Sequence, residues 1–330
     1  MTASIGRFAS PELLQLGRPP ALAAKDFEAL YGASLNDMIA RLNGAGLSFD
    51  MQKFEVDPAS ALLEAGAYRD LLRRQEIDDA VAQTYLGSAT DALLDQRAAD
   101  YGVVRRVVQF ADAATNTPLI MEDDDSLRLR ARLAWEALSV AGPAGAYVFH
   151  ALDAHPGIFD ALPIGPETGI VQPGEALVVI QGRDGDGIPS DGIIDVVADR
   201  LDAYEVVYSN GVSAIRPVRN GQSVRPTGAR VTVAAAQALP YTTTATIYVG
   251  SYGDAETVRI DAVTRLKAYQ ESRRRVGRIV SDAGMIAALS LADENGIPIV
   301  SDVDLVGGDI IPTHLQIPVP GEPNITVEVR

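Results

Sequence analysis

The chain has 330 residues, 47% hydrophobic and 22% charged, which is enough for ordinary buried cores in roughly two or three domains. Its 28 basic and 44 acidic residues give a formal charge of −16, which disfavours nucleic acid and anionic membrane as general partners, since both are polyanions. There is no cysteine, which excludes disulfides, thiolate catalysis, iron–sulfur clusters and cysteine–zinc sites and fits a protein made in a reducing cytoplasm.

The first twenty residues carry no apolar core and are broken by Pro11, Pro19 and Pro20, so no secretion signal is expected. The longest apolar run, Ala283 to Ala292, falls well short of the roughly 18 residues of a membrane helix. Residues 1–110 read as mostly helical. Lys25 to Leu42 place Phe27, Leu30, Tyr31, Leu35, Met38, Ile39 and Leu42 near a 3.6-residue period. Asp57-Pro58 is a start signal for a second helix, with the aspartate at the N-cap and the proline at the first helical position. A third helix, from about Thr90, stops at Gly102. Residues 103–125 read as a linker or excursion ending in an acidic run, Glu122 to Asp125, taken as a solvated face. Asp125 or Ser126 then caps a helix with Leu127, Leu133 and Trp135.

Gly142-Pro143 interrupts the helical pattern, because proline lacks the donor and clashes with the preceding turn, and a new helix runs from Pro143 to Ala154. Strands are expected at Gly157–Ile164 and Ala176–Ile180, then a helix over 191–202. Asn210-Gly211, between two β-rich runs, predicts a type I′ hairpin, and Asn220-Gly221 offers a second turn. The remainder reads as a strand (Thr242 to Val249), a long helix (Asp254 to Arg273), a short helix (Asp282 to Leu289) and three strands near Ile297–Leu305, Leu315–Val319 and Ile325–Val329. The fold class is therefore multi-domain α+β. A helical N-terminal region (1–125) precedes a central α/β domain (126–235, with an inserted hairpin at about 205–224) and a C-terminal, split βαβ-like α+β domain (236–330).

Candidate chemistry is sparse. Asp184-Gly185-Asp186-Gly187 invites comparison with a calcium loop, with Asp186 and Asp195 at the third and twelfth positions. However, Ile188 then occupies a ligand position, and Pro189 occupies the place of the turn glycine. No Walker spacing follows, so the stretch is better read as a strand-to-helix turn with Ser190 or Asp191 as the cap. The histidines, His150, His155 and His314, form no HExxH pattern and read as structural or surface residues. Arg273, Arg274, Arg275 and Arg278 cluster at a helix C-terminus. They form either a solvated end that favours the dipole or an ion-pairing surface for an acidic neighbour, including another copy of the chain. No catalytic, cofactor-binding or metal-binding residue is nominated, and no cofactor is expected.

Several stretches resemble the baseplate J-like proteins of contractile phage tails. Leu127-Arg128-x-Arg130 followed by WEALSVAGPAGAYVFHAL (135–152) is similar to that family's E-x-x-S-x-A-G-P-x-G-A-Y-x-F-H-A signature. Residues 57–103, RDGDGIPSD (183–191), Arg225-Pro226-Thr227 with the Val-x-Val after it, and Gly277-Arg278 match further points. The resemblance implies a non-enzymatic wedge component of a tail baseplate. Such a protein is made and assembled in the bacterial cytoplasm, contacts copies of itself and other wedge proteins around the hub, and rearranges when the tail contracts. The hub and sheath are further candidate partners. Roughly twenty residues between Asp202 and Arg225 are extra to that pattern and read as an added surface hairpin. The other classes weighed are a tail-associated enzyme acting on cell-wall polymer and a calcium-stabilised adhesin resting on Asp184 and Asp186.

Overall fold

The computed structural model describes residues 26–47, 58–111, 115–139, 141–217, 224–226, 228–250, 255–292 and 298–329. The Asp57 cap and the Asn220-Gly221 turn lie outside the described residues. The chain forms two compact units.

The described residues of the smaller unit, Ala9–Arg105 with Asp123–Ala131, are mostly helical. Its α1 (Phe27–Gly44) is capped by the Asp26 carboxylate, which accepts from the Glu28 amide at 3.0 Å, and packs against α2 (Pro58–Ala82). The next helix, α3 (Asp91–Ala99), is ended by Gly102 at φ 73, a left-handed conformation that costs glycine little. The Leu127 side chain is fully buried in this unit, and Arg128 beside it is 6% exposed. The Arg128 guanidinium donates to the carbonyls of Leu86 and Ala89, both at 2.9 Å, and pairs with Asp125. The Leu-Arg-x-Arg stretch is thus a bracket that ties the chain after α2 to the later helix.

Between the two visits to that unit, Val107–Gln109 (β1) and Ile120–Met121 (β2) pair as an antiparallel ribbon. The segment expected to be a linker or excursion is therefore partly sheet. The acidic run that follows is only in part a solvated face: Asp123 and Asp125 are exposed, whereas Glu122 and Asp124 turn toward arginines. Glu122 is 7% exposed and accepts from the Arg106 amide at 3.3 Å, and Asp124 binds the Arg105 guanidinium at 2.6 Å. The cap of α4 (Asp124–Leu133) is Asp123, whose carboxylate accepts from the Ser126 amide at 2.8 Å, so the helix begins before the residues expected to cap it. Trp135 lies beyond the helix end and is exposed.

In the larger unit, which includes Arg106–Glu122 and Arg132–Arg330, the signature segment starts α5 (Ala144–Ala154). Gly142 has φ 76, and a Cβ there would lie 2.8 Å from the Pro226 ring. Pro143 takes the N-cap position, and the Glu136 carboxylate lies over Gly145 in the first turn, where helix amides and the dipole favour an anion. Then follow β3 (Ile158–Ile164), β4 (Glu175–Gly182), α6 (Asp191–Leu201), β5 (Glu205–Val207), β6 (Ser213–Ile215) and β7 (Arg230–Ala235). They form one sheet in the order β3-β4-β7-β5-β6, with β4, β7 and β5 parallel and antiparallel partners at both ends. Both faces of β4 are covered: Val178, Val179 and Ile180 are fully buried, as parallel strands between layers require. Helices α5 and α6 pack against the sheet, and Val179 also joins a core with Leu162, Val276 and Ile317.

The rest of this unit carries β8 (Gln237–Tyr241), β9 (Thr244–Val249), α7 (Ala255–Arg273), α8 (Asp282–Leu289), β10 (Val300–Val306), β11 (Gln316–Pro320) and β12 (Asn324–Val329). Strands β8 and β11 pair in parallel, and a second sheet has the order β10-β9-β12. β9 and β12 are parallel neighbours joined through the two helices, a βαβ-like α+β arrangement. Ala245, Ile247 and Val249 alternate inward against Val258, Ala262 and Leu266 of α7, the stripe that the helical period requires.

Replacing Gly142 by alanine forces a side chain into the left-handed region and against the stiff Pro226 ring. Gly142→Ala is expected to lower unfolding stability by about 1–3 kcal/mol. Gly145→Ala meets only the end of the movable Glu136 side chain and is expected to cost less. Denaturant midpoints of the two purified variants check this order.

Candidate assembly surfaces

Asp184 to Gly187 form the turn between β4 and α6. Gly185 (φ 60) and Gly187 (φ 86) occupy left-handed positions, the Gly187 amide donates to the Asp184 carbonyl at 3.1 Å, and the Asp186 carboxylate accepts from the Ile188 amide at 3.1 Å. Asp195 points elsewhere, accepting from the Tyr208 hydroxyl at 3.0 Å and from Arg216 at 2.5 Å. The aspartates of a hypothetical calcium loop therefore do not converge. Among the described residues, no group of three His, Asp or Glu side chains is placed to hold a metal ion. Ser190 does occupy the N-cap of α6, with no side-chain cap bond.

The histidines are dispersed. His150 is 6% exposed on α5, His155 accepts from the Gly157 amide at 3.0 Å, and His314 lies in the stretch before β11. Burial, with the Arg200 charge adding to it, holds the His150 imidazole below its usual pKa of 6.5.

Arg274 and Arg275 of the arginine cluster point inward, while Arg278 is exposed. Arg274 donates to the Gly185 carbonyl, while the Arg274 carbonyl accepts from the buried Gln181 amide at 2.9 Å. Arg275 pairs with the 1% exposed Asp160 at 3.3 Å and stacks over Phe159 at 4.8 Å. Arg273 stacks over Tyr269. Residues Arg274 and Arg275 clip the end of α7 to β3, β4 and the DGDG turn. That corrects both earlier readings for Arg274 and Arg275, a solvated end and a surface for an acidic neighbour. A buried carboxylate such as Asp160 demands a cation, and this helix end supplies it.

Strands β5 and β6 form the antiparallel hairpin expected at Asn210-Gly211, but not through a type I′ turn, which needs positive φ at both central residues. Only Gly211 of the pair has it (φ 79); its amide donates to the Tyr208 carbonyl at 2.9 Å, and the Asn210 side chain accepts from the Val212 amide. The longer loop, a turn followed by a left-handed glycine, needs one such residue instead of two. The hairpin root is tied down by Arg216, which bridges Asp195 and Asp199 on α6. Donation to the Asp195 carboxylate raises the Tyr208 phenol above its ordinary pKa. Beyond this anchor, Val212 and Ile215 are 55% and 71% exposed.

A second anchor holds the approach to β7. Asp202 is in the left-handed region (φ 49) at the end of α6 and is 8% exposed. Arg225 donates to its carboxylate and carbonyl, each at 3.0 Å, and to the Ala229 carbonyl at 2.6 Å. The adjacent Pro226 ring sits beside Gly142. The Arg-Pro stretch and the Gly-Pro stretch thus meet in space. Apolar side chains left exposed in this unit include Phe110, Leu119, Ile120 and Met121 around the β1–β2 ribbon, and Trp135 and Leu138 before α5.

Residues 55–112 match the family model of the baseplate J-like N-terminal domain, and residues 139–235 match that of the baseplate J-like central domain. The chain is also 31% identical over 285 residues to Baseplate protein J of Escherichia phage P2, an alignment covering 84% of this chain and 86% of that protein. The chain belongs to the baseplate J-like family. Within the matched J-like central domain lie the Gly-Pro start of α5, the five-stranded sheet, the DGDG turn, the hairpin and Arg225. Every motif of the resemblance that falls there serves packing or backbone bonding in the structure. Among the described residues, no helix is long and apolar enough to cross a membrane.

Because the folded state disfavours protonated His150, the unfolded chain binds more protons just below pH 6.5. Stability is therefore expected to fall as pH drops from 6.5 toward the lowered folded pKa. His150→Gln should flatten that part of the curve, as measured by denaturant midpoints against pH.

Proposed function

We propose that this J-like chain is a structural wedge component of the baseplate of a contractile tail or tail-like particle. It works by presenting polypeptide surfaces to copies of itself and to other baseplate proteins, with no catalytic step and no cofactor. The observation that carries the reading is the 31% identity to Baseplate protein J over most of both chains. The placement of the motif residues supports it: Arg128 and Arg225 hold backbone carbonyls, Gly142 leaves room for the Pro226 ring, and the DGDG aspartates serve a turn. A baseplate part needs a defined shape and sticky surfaces, and anchored elements with exposed apolar residues supply both.

The working modules are residues 1–125, 126–235 and 236–330. The core of β9, β10, β12, α7 and α8 draws on residues from Tyr241 onward, in keeping with the last boundary. The hairpin within about 205–224 is an attachment for a wedge or sheath component of this particle, because its root is fixed by Arg216 while Val212 and Ile215 face outward. The protein is synthesised and assembled in the bacterial host cytoplasm and ends in the tail baseplate.

Removing the gene from a particle-producing strain is expected to leave no complete contractile tails on electron micrographs. Complete, contracting tails without it would refute the proposal, as would purified protein that clears a peptidoglycan zymogram. Replacing residues 208–212 by a short glycine linker should spare folding of the isolated chain and lower particle yield. An unchanged yield would remove the hairpin's attachment role.

A further inference from the structure

The β10-β9-β12 sheet buries one face under α7 and α8 and leaves the other without a covering element among the described residues. Inward residues Ala245, Ile247, Val303, Leu305, Ile325 and Val327 belong to or pack on the core. The alternate positions form the open face. Across it, Asp302 and Glu328 are the registered neighbours of Tyr248 on its two sides, and Asp304 is the neighbour of Thr246 in the next row. Asp302, Asp304 and Glu328 are exposed, and Asp304 and Glu328 make no ion pair with any described residue. Val306, at the end of the same row set, is 68% exposed. Burying such a face needs a surface that brings cations to the carboxylates and apolar groups to Val306 and the tyrosine ring.

The chain itself carries that complement on α2. One side of this helix is packed, with Ser60, Ala67 and Ala82 buried. On the opposite side Leu62 (75% exposed), Arg69, Leu72, Arg73 and Ile77 (50% exposed) share a face, with Glu76 among them. Arg69 and Arg73 are exposed and make no ion pair with any described residue. Four residues apart on a helix, they are spaced by about 6 Å. Asp302 and Asp304, two apart on a strand, are spaced by about 7 Å. The two rows match in spacing and are opposite in charge, although the chain as a whole is strongly acidic and copies repel one another at long range.

We infer that the exposed α2 face of one copy docks on the open acidic sheet face of a second copy, with Arg69 and Arg73 set against Asp302 and Asp304. This rests on the proposed self-contact of the baseplate protein and specifies its surfaces. The contact is heterologous, helix of one copy on sheet of the next, so it can propagate around a ring.

Sedimentation velocity on the full chain tests it with two charge-reversed variants, R69E/R73E and D302K/D304K, each checked for folding by circular dichroism. Wild-type protein should self-associate. Each variant alone should do so at least about tenfold more weakly, as for loss of close charge pairs at an interface. An equimolar mixture should recover the association, because each reversed surface then finds its complement. The absence of native cysteine allows a second readout that survives a folding failure. Oxidising a mixture of I77C and V306C copies should give a disulfide-linked pair, and a mixture of I77C with I215C, at a position about as exposed as Val306, should not. Wild type that associates while both variants do so undiminished, or without the 77–306 link, overturns this docking but leaves self-contact standing. Wild type that never associates and never cross-links overturns both.

Discussion

The larger unit turns on one buried ion pair. Asp202 closes α6 in a left-handed conformation, and Arg225 locks it by binding its carboxylate and its carbonyl. A carboxylate 8% exposed is costly without its partner, on the order of 3–5 kcal/mol when one member of such a pair is removed. The pair fixes the path from α6 into β7, and it sets the next residue, Pro226, against Gly142, where α5 starts. Two sequence motifs more than eighty residues apart are therefore one structural joint, with the central strands β4 and β7 held between the elements it organises.

The same logic governs the rest of the charge. In a chain of net −16, the cations that count for the fold are turned inward onto specific oxygens. Arg128 holds two carbonyls in the helical unit, Arg275 neutralises buried Asp160, and Arg216 bridges two aspartates of α6. What remains outside among the described residues is a largely acidic surface interrupted by apolar groups and by exposed arginines such as Arg69 and Arg73. A protein of this kind selects its neighbours by local complementarity against a background of repulsion, which suits ordered assembly.

Much of this was legible in the sequence because it is local. The Gly-Pro break, the helix stop at Gly102, the α7 stripe and the alternation of β9 follow from single-residue conformational limits and periodicity, and the α-helices begin and end within a few residues of expectation, whereas β8 was not expected. The illegible parts are non-local. Arg274 and Arg275 read as a surface cluster because their partners lie 89 and 115 residues away. The pairing of Glu122 and Asp124 was hidden because Arg106 and Arg105 approach them from before the ribbon. That ribbon is only three residues against two, too short for a periodic signal. For the candidate surfaces, the sequence pointed to the family and to the hairpin. It could not show which faces of α2 and of the second sheet stay uncovered, since that depends on packing between distant segments.

A three-dimensional electron-microscopy map of assembled particles carrying a tagged copy tests the central claim most directly. The account predicts repeated copies in a ring at the tail's tip, with the Arg225–Asp202 and Arg275–Asp160 pairs enclosed within each copy. Tagged density along the tube or in the head, or those pairs opened out to bind a ligand or a neighbouring protein, would contradict it.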